Sequence, residues 1–325
     1  MNSQLSRRAL LRNTGLLAAG GGAAALLAAC GDDSSSASAA GGGAATDTVR
    51  LALDWTPNTN HTGFYVADKL GYLSENKIKL SIVPFSNAPA DSLVAAGKAD
   101  FSISFPTYMF ANMAAGLPLV SVMSILQKDP LEIMVKADSD ITRPKELDGK
   151  KAAGTGSPAT SWEIRTAIQN DGGTGKFEEV TLNTDSYQAV YNGQVDFAAQ
   201  FATWEGIQAT LAGIRTRVFP FRDHGIPTNY SVVMAASTNY LSKNADLARR
   251  FVAAVVRGYE YAAKNPDESA QILADANPGA FTDPRLPKQS QEMLSKSYLL
   301  DAAGTFGTQT ISGWGPFGKM LFDAG

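Results

Sequence analysis

The sequence predicts an α/β protein with two similar lobes that face each other across one cleft. Residues 93–105 and 189–201 share one pattern at a constant offset of 96 residues: an apolar helical end, a glycine, an Asp-Phe pair and a short strand. A strand-like run precedes each segment, so each is typical of a β-α-β unit in a parallel sheet. A further strand-loop-helix unit opens at residue 151 in the way that one opens at residue 53. A single match of this kind can arise by chance in an α/β protein, but two lobes in tandem explain all three observations most simply.

The first 30 residues have the composition of an export signal. A basic start is followed by a Gly/Ala/Leu run and by small residues before Cys30. Residues 6–12 resemble a twin-arginine signal and residues 27–30 resemble a lipoprotein box, so we expect Cys30 to be lipidated and to anchor the protein outside the cytoplasm. A transmembrane anchor is the alternative, although glycines at 20–22 interrupt the apolar run.

Composition excludes several classes of function for the rest of the chain. Residues 31–47 are small and polar and predict a flexible tether. The formal net charge is −3, with 28 basic and 31 acidic residues and no basic cluster outside the signal, which disfavours nucleic-acid binding. Because Cys30 is the only cysteine and the chain has two histidines, we expect no disulfide, no thiol chemistry and no metal site. We also expect no cofactor.

The last third of the chain changes from alternating elements to helices. Residues 245–264 carry Leu247, Phe251 and Val255 at helical spacing, and Asn265-Pro266 ends this helix. Such a tail most often packs back on the first lobe. We therefore expect lobe 1 to comprise residues 48–137 and 238–325, and lobe 2 to comprise residues 138–237.

The two lobes predict where a ligand binds. In parallel sheets, ligands lie beyond the carboxyl ends of the strands, where loops lead into helices. When two such sheets face each other, these loops line one cleft. The expected walls are the loops at residues 54–63, 104–108, 154–160 and 201–206.

The loop after the first strand reads D-W-T-P-N-T-N-H-T-G from Asp54. Asn58, Asn60 and Thr62 offer side-chain groups that can bind the backbone or a ligand. Composition alone favours a local role, in which Trp55 fills the core, the asparagines close turns and Thr62 or Asn60 caps the helix.

The corresponding loop of the second lobe places Trp204 beside Glu205. Aromatic rings stack on flat ligands, and a carboxylate accepts hydrogen bonds from an amine or amidine-like edge. The alternative is that Trp204 only packs and Glu205 is a helix-start charge. The G-T-G-S-P loop could present backbone N–H groups to an anion, or Ser157 could simply cap a helix that begins at Pro158. No nucleophile-base arrangement is present, so nothing in the sequence requires catalysis.

These motifs resemble the thiamine-pyrimidine-synthase/formylaminopyrimidine-binding group of periplasmic binding proteins. The resemblance spans residues 48–264, and its most specific part is the W-x-P-N-x-x-H-x-G string that starts at Trp55. It also rests on Gly71-Tyr72-Leu73, on residues 97–101 and 147–150, and on Trp204-Glu205.

The resemblance implies a type II periplasmic-binding-protein fold, whose two lobes close on a ligand by a hinge. The enzyme branch of this group needs a lysine, a histidine and a cysteine-rich stretch. Ser104, Tyr108 and the cysteine-free residues 225–233 stand at those positions here. The resemblance therefore implies the transporter branch, a monomeric lipoprotein that captures a pyrimidine precursor of thiamine for an ABC permease and its ATPase.

The resemblance also implies roles for individual residues. Trp55 and Trp204 would form apolar walls, and Glu205 would bind the aminopyrimidine edge. The remaining expected ligand-binding residues are Asn58, His61, Ser104, Tyr108 and Ser157. A binding protein for riboflavin or for an alkanesulfonate or taurine-like anion is the first alternative, with Arg165 and Lys98 as the nearby basic residues for an anion. A pyrimidine-synthesising enzyme is the second.

Overall fold

The computed structural model describes residues 46–86, 88–182 and 186–324, which form two α/β lobes with one five-stranded sheet each. The predicted signal peptide, Cys30 and the tether up to residue 45 lie outside these residues. In each sheet four strands point in the same direction, and the strand in the fourth place is antiparallel to both of its neighbours. The first sheet has the order β2 (Ile78–Val83), β1 (Asp47–Ala52), β3 (Phe101–Ser104), β10 (Val233–Ser237) and β4 (Leu119–Ser124). The second has the order β7 (Glu178–Thr181), β6 (Lys151–Gly154), β8 (Phe197–Phe201), β5 (Leu131–Lys136) and β9 (Thr216–Pro220).

The repeat seen in the sequence corresponds to equivalent places in the two sheets. Helix α3 (Ala90–Ala95) leads through Gly97 into β3, and helix α6 (Ser186–Tyr191) leads through Gly193 into β8. Both glycines have positive φ, 68° and 70°, a conformation that side chains with a Cβ rarely adopt. The glycine-Asp-Phe pattern therefore marks the third strand of each sheet.

The fourth strand of each sheet comes from the other half of the chain, which shifts the lobe boundaries. β5 belongs to the second sheet although it lies before residue 138, and β10 belongs to the first sheet although it lies before residue 238. Strand pairing is non-local, so the residues of an apolar strand do not reveal which sheet it joins. The two connections bond to each other: Ile125 N–H donates to the carbonyl of Val232 at 2.8 Å, and Ser231 N–H donates to that of Leu126 at 3.2 Å.

Helices α1 (Thr62–Lys69) and α9 (Ala245–Lys264) cross closely above the first sheet. A Cβ added at Gly258 would overlap the carbonyl oxygen of Gly63, so this contact needs glycine. Phe64, Phe251 and Tyr259 fill the core below the crossing and are fully buried. The other helices of this region are α2 (Tyr72–Glu75), α4 (Pro106–Ala114), α8 (Thr238–Lys243), α10 (Pro266–Ala276) and α11 (Arg285–Ser297).

The second lobe carries α5 (Pro158–Asn170), α6 and α7 (Glu205–Leu211) on its sheet. The sequence led us to expect that the last helix, α12 (Ile311–Ala324), packs on the first lobe alone. In the structure it packs on both lobes. Its Phe317 is buried in the hydrophobic core of the second lobe, while Trp314 contacts Phe110 of α4. Among the described helices, none combines the length and hydrophobicity that a membrane crossing requires.

Candidate ligand-binding site

A cavity of about 690 Å³ lies between the carboxyl ends of the strands of both sheets. The first lobe contributes the loops after β1 and β3, and the second lobe contributes the loops after β6 and β8, as the strand order predicts. Cavities of this size are typical of small-molecule sites. Of the eight expected ligand-binding residues, six line the cavity: Trp55, Asn58, Tyr108, Ser157, Trp204 and Glu205.

Aromatic rings form part of the apolar lining of the cavity. In the first lobe, the ring centroids of Trp55 and Phe85 are 5.0 Å apart, so Phe85 holds the indole in the loop after β1. In the second lobe, Trp204 packs edge-to-face on Phe281 at 5.8 Å. Both indoles remain part of the cavity wall, so they can stack on a flat ligand.

Glu205 begins α7 and is buried, with 5% of its surface exposed. Its Oε2 accepts a hydrogen bond from the backbone N–H of Phe201 at 3.0 Å. Burial raises the pKa of Glu205 to about 7, against the smaller opposing effects of the Phe201 N–H and the Tyr187 hydroxyl. The carboxyl group can therefore exist with or without its proton near neutral pH, and can pair with a ligand edge that both donates and accepts hydrogen bonds.

A hydrogen bond between lining residues joins the two lobes at the cavity. The Tyr108 hydroxyl donates to Ser157 Oγ at 2.9 Å, from the first helical turn after β3 to the loop after β6. Ser157 Oγ also accepts from the N–H of Thr160 at 3.3 Å, so Ser157 is the N-cap of α5. Ser157 thus caps its helix and also contacts the opposite lobe.

His61 does not line the cavity, contrary to the expectation that it contacts ligand. Its ring is completely buried, and its Nε2 lies 2.8 Å from Asp54 Oδ1. Its Nδ1 accepts from Asn58 N–H at 3.4 Å, so Nε2 is the nitrogen that donates to Asp54. Asp54, not His61, presents its carboxylate to the cavity, and His61 orients the loop from behind.

Asn58 reaches the cavity, but its side chain serves the local turn. Its Oδ1 accepts from Asn60 N–H at 2.9 Å and its Nδ2 donates to the carbonyl of Thr56 at 3.0 Å. The local alternative considered for the asparagines is therefore the arrangement that Asn58 adopts.

Ser104 also lies behind the cavity wall. Its Oγ donates to Asp91 Oδ2 at 2.7 Å, beside Ser102 Oγ, which donates to Asp91 Oδ1 at 2.6 Å. Asn112 Nδ2 adds a third donor at 2.8 Å. Ser104 therefore holds Asp91, and Asp91 is the group that faces the cavity.

Carboxyl groups dominate the charge of the cavity. Only one of them, Glu205, was predicted from the sequence as a ligand-binding residue. Among the described lining residues there is no lysine, arginine or histidine. No group of three acidic, His or Cys side chains in the described part of the chain could hold a metal ion. The six acidic lining residues are Asp54, Asp91, Asp129, Glu163, Glu179 and Glu205.

The missed residues carry weak signals in the sequence. Asp91 is in the first turn of α3, where an acidic residue ordinarily favours the helix dipole. Glu163 is in α5 on the buried face with Ile164 and Ala167, and an acidic residue on an apolar face is the one signal that could have identified it. Asp129 lies in a connection between the lobes, which cannot be assigned to a wall before the topology is known.

The chain matches the NMT1/THI5 like family over residues 58–269. It is 27% identical to the formylaminopyrimidine-binding protein of Halalkalibacterium halodurans over 83% of this chain and 83% of that protein. It is 24% identical to a 4-amino-5-hydroxymethyl-2-methylpyrimidine phosphate synthase of Legionella pneumophila over 71% and 74% of the two chains. It is 26% identical to the riboflavin-binding protein RibY of Chloroflexus aurantiacus over 81% and 78%.

The structure superposes on the alkanesulfonate-binding protein SsuA of Xanthomonas axonopodis pv. citri with a TM-score of 0.61 and 18% identity, over 80% of this chain and 89% of that chain. At this identity the superposition establishes the fold and not the ligand. The two lobes, the exchanged fourth strands and the cleft are those of a type II periplasmic binding protein, and the protein is a solute-binding member of the NMT1/THI5-like family.

Proposed function

We propose that the protein binds a pyrimidine precursor of thiamine and delivers it to an ABC permease. The observation that carries this proposal is the buried Glu205 carboxyl next to Trp204, opposite Trp55, in a cavity whose described lining has no basic side chain. The ring of an aminopyrimidine stacks on indole, and its amine and adjacent ring nitrogen match the two oxygens of a carboxyl group. The similarity to a formylaminopyrimidine-binding protein supports the same ligand class.

The alternative of a sulfonate ligand has little support from the charges of the site. An anion in this cavity would face six carboxyl-bearing residues without a basic side chain among the described lining. Lys98 is exposed and does not line the cavity, and Arg165 lies over the ring of Phe177 at 5.4 Å. Burial of an unpaired anion near carboxylates is strongly unfavourable.

The other two alternatives differ from the proposal in testable ways. Riboflavin is flat and uncharged, and the similarity to RibY keeps it as the second candidate ligand. For the enzyme alternative, Ser104 and Tyr108 replace the lysine and histidine that the synthase branch needs, and Ser104 holds Asp91 instead of lining the cavity. We therefore propose binding without turnover.

The proposal includes the location and partners of the protein. Lipidation of Cys30 would hold the domain at the outer face of the cell membrane, and residues 31–47 would allow it to reach the permease. We propose that it acts as a monomer, as hinge-closing binding proteins deliver one ligand per molecule.

A thermal-shift panel tests the proposed ligand class. A ligand that binds only the folded state raises Tm, by an amount that grows with its concentration relative to Kd. We expect the purified protein to be stabilised by formylaminopyrimidine and hydroxymethylpyrimidine, and not by taurine or a short alkanesulfonate. Stabilisation by riboflavin alone would replace the proposed ligand with the second candidate, and conversion of a bound pyrimidine would contradict binding without turnover.

A further inference from the structure

Glu163 is a buried carboxyl group in the cavity wall that the proposed function has not used. It lies in α5 with 6% of its surface exposed. Within the described residues it has no hydrogen-bond or ion-pair partner, and the charge that acts on it is that of Asp129. Burial first, and then Asp129, raise the pKa of Glu163 well above its ordinary value.

The other acidic lining residues are different, because each has a donor from the protein. Asp54 has His61, Glu179 has the Ser161 hydroxyl, and Glu205 has the backbone N–H of Phe201. Asp91 has three side-chain donors, and Asp129 Oδ1 accepts from Leu131 N–H at 2.9 Å. Within the described part of the chain, Glu163 is therefore the acidic lining residue whose donors must come from the contents of the cavity.

Helix α5 gains nothing from a carboxyl group at this position. Its buried neighbours Ile164, Ala167 and Ile168 all belong to the hydrophobic core of the second lobe. A buried carboxyl group without a partner costs free energy, whether it keeps its charge or its proton. This cost is recovered when a bound molecule supplies the missing donor.

The surroundings of Glu163 indicate the charge of that donor. Asp129 is a second carboxyl group that lines the same cavity. The Tyr108 hydroxyl also lies close enough for the charge of Glu163 to raise its pKa, although burial is the largest cause of that rise. The cation that acts on Asp129 is Arg222, which is half exposed and is not among the described lining residues. Two neighbouring carboxyl groups without a basic partner in the wall favour a cationic donor over a neutral one.

We propose that Glu163 and Asp129 form a cation subsite that binds a protonated primary amine on the substituent of the ligand, while Trp204 and Glu205 hold its ring. This inference rests on the proposed function, because it assigns a second contact to the same heteroaromatic ligand. It predicts that the site prefers an aminopyrimidine with an aminomethyl substituent, which is a cation at neutral pH, over the neutral hydroxymethyl compound.

Calorimetric titration of the full chain with both compounds tests the subsite. We expect the aminomethylpyrimidine to bind at least about tenfold more tightly than the hydroxymethylpyrimidine, as one charge-assisted hydrogen bond in a buried site provides. Glu163→Gln keeps the shape of the side chain and removes its charge, so the preference should fall to about threefold or less, mainly through loss of aminomethylpyrimidine affinity. Asp129→Asn should reduce the preference in the same direction.

Glu132→Gln is the matched control. Glu132 is also a buried carboxyl group of the second lobe, but its Oε1 accepts from Gln200 Nε2 at 2.9 Å and it does not line the cavity. This variant should keep the wild-type preference. Circular dichroism of each variant confirms that the fold is retained, and hydroxymethylpyrimidine binding provides a second check on the site.

The possible outcomes separate this inference from the proposed function. Binding of both pyrimidines with equal affinity, or a preference that survives in Glu163→Gln, would overturn the subsite and leave the proposed function intact. Failure of every pyrimidine to bind would overturn the proposed function and the subsite together.

Discussion

At the scale of single residues, the cavity is defined by acidic side chains, three of which are buried, and by two half-buried indoles. Burial of the Glu205 carboxyl group lowers the stability of the folded protein when this group ionises. Its pKa is raised by burial from the ordinary value of 4.5 to about 7, so the folded protein holds a proton that the unfolded chain releases at lower pH. Stability contributed by the neutral form is therefore present below about pH 4.5 and is lost as the pH rises towards 7.

Glu205→Gln should remove this loss of stability in the ligand-free protein. Between pH 5 and pH 8 the free energy of unfolding of the wild type should fall by about 2 kcal/mol more than that of the variant, because only the wild type must ionise a buried acid. Urea denaturation at the two pH values measures the difference. The same variant should bind the aminopyrimidine more weakly, and parallel pH profiles for the two proteins would contradict the assignment.

His61→Ala should act on the fold of its loop rather than by removing a ligand contact. The substitution leaves a cavity and deprives Asp54 of its donor, so we expect a loss of about 2–4 kcal/mol in the free energy of unfolding. Chemical denaturation without ligand measures this loss. His224→Ala, in which the lost ring contacts Phe219 at a centroid distance of 6.1 Å, should cost well under about 1 kcal/mol. Equal stability of wild type and His61→Ala would contradict the structural role.

The sequence was a good guide to those residues whose position follows from a strand end. Trp55, Trp204 and Glu205 each follow a strand, and the structure brings all three to the cavity. It was a poor guide where function depends on which side of a loop or helix faces the cleft. His61 and Ser104 point behind the wall, and Glu163 was missed because helical spacing alone does not tell a core face from a cavity face.

At the scale of elements, the contact of α1 with α9 fixes the loop that carries Trp55. Tyr259 of α9 donates its hydroxyl to the carbonyl of Asn60 at 2.6 Å. Gly258 lets the two helices approach, because a side chain there would meet Gly63 and Ala67 of α1. The geometry of the first cavity wall therefore depends on a helix from the far end of the chain.

Gly258→Ala should separate these helices and destabilise the protein by about 2 kcal/mol or more, since overpacking forces backbone shifts. Thermal or urea denaturation measures the loss, and ligand affinity should also fall because the loop at Asn60 moves with α9. Gly315→Ala is the control, because a Cβ at Gly315 of α12 would meet open space. A Gly258→Ala variant as stable as the wild type would contradict the close helix contact.

The repeat in the sequence predicted the helices and strands better than it predicted which strands pair and which lobe each helix packs on. Gly97 and Gly193 were correctly expected to turn into equivalent strands, since a left-handed turn is a local property. The exchange of β5 and β10 between sheets and the docking of Phe317 in the second lobe depend on contacts between distant segments. No local pattern encodes such pairings, so the lobe boundaries were misplaced.

At the scale of the whole molecule, contacts between the two lobes occur at several places in the described part of the chain, including a hydrogen bond from Ser290 Oγ of α11 to the carbonyl of Thr203. The crossing segments bond to each other around Leu126 and Val232, α12 contacts α4 and the second core, and Tyr108 reaches Ser157 across the cavity. The segments around Leu126 and Val232 are the two connections between the sheets, so we expect the hinge of the fold there. A ligand held by Trp55 on one side and by Glu205 on the other would favour the closed arrangement of this hinge.

Calorimetric titration of the purified protein with a thiamine-related aminopyrimidine tests the central claim most directly. The account predicts saturable binding of one ligand per chain, weakened at least about tenfold in Trp204→Ala, because stacking in a closed site is lost. It also predicts unchanged affinity in Trp162→Ala, a tryptophan of α5 that does not line the cavity. Absence of aminopyrimidine binding, or equal affinity in wild type and Trp204→Ala, would contradict the account.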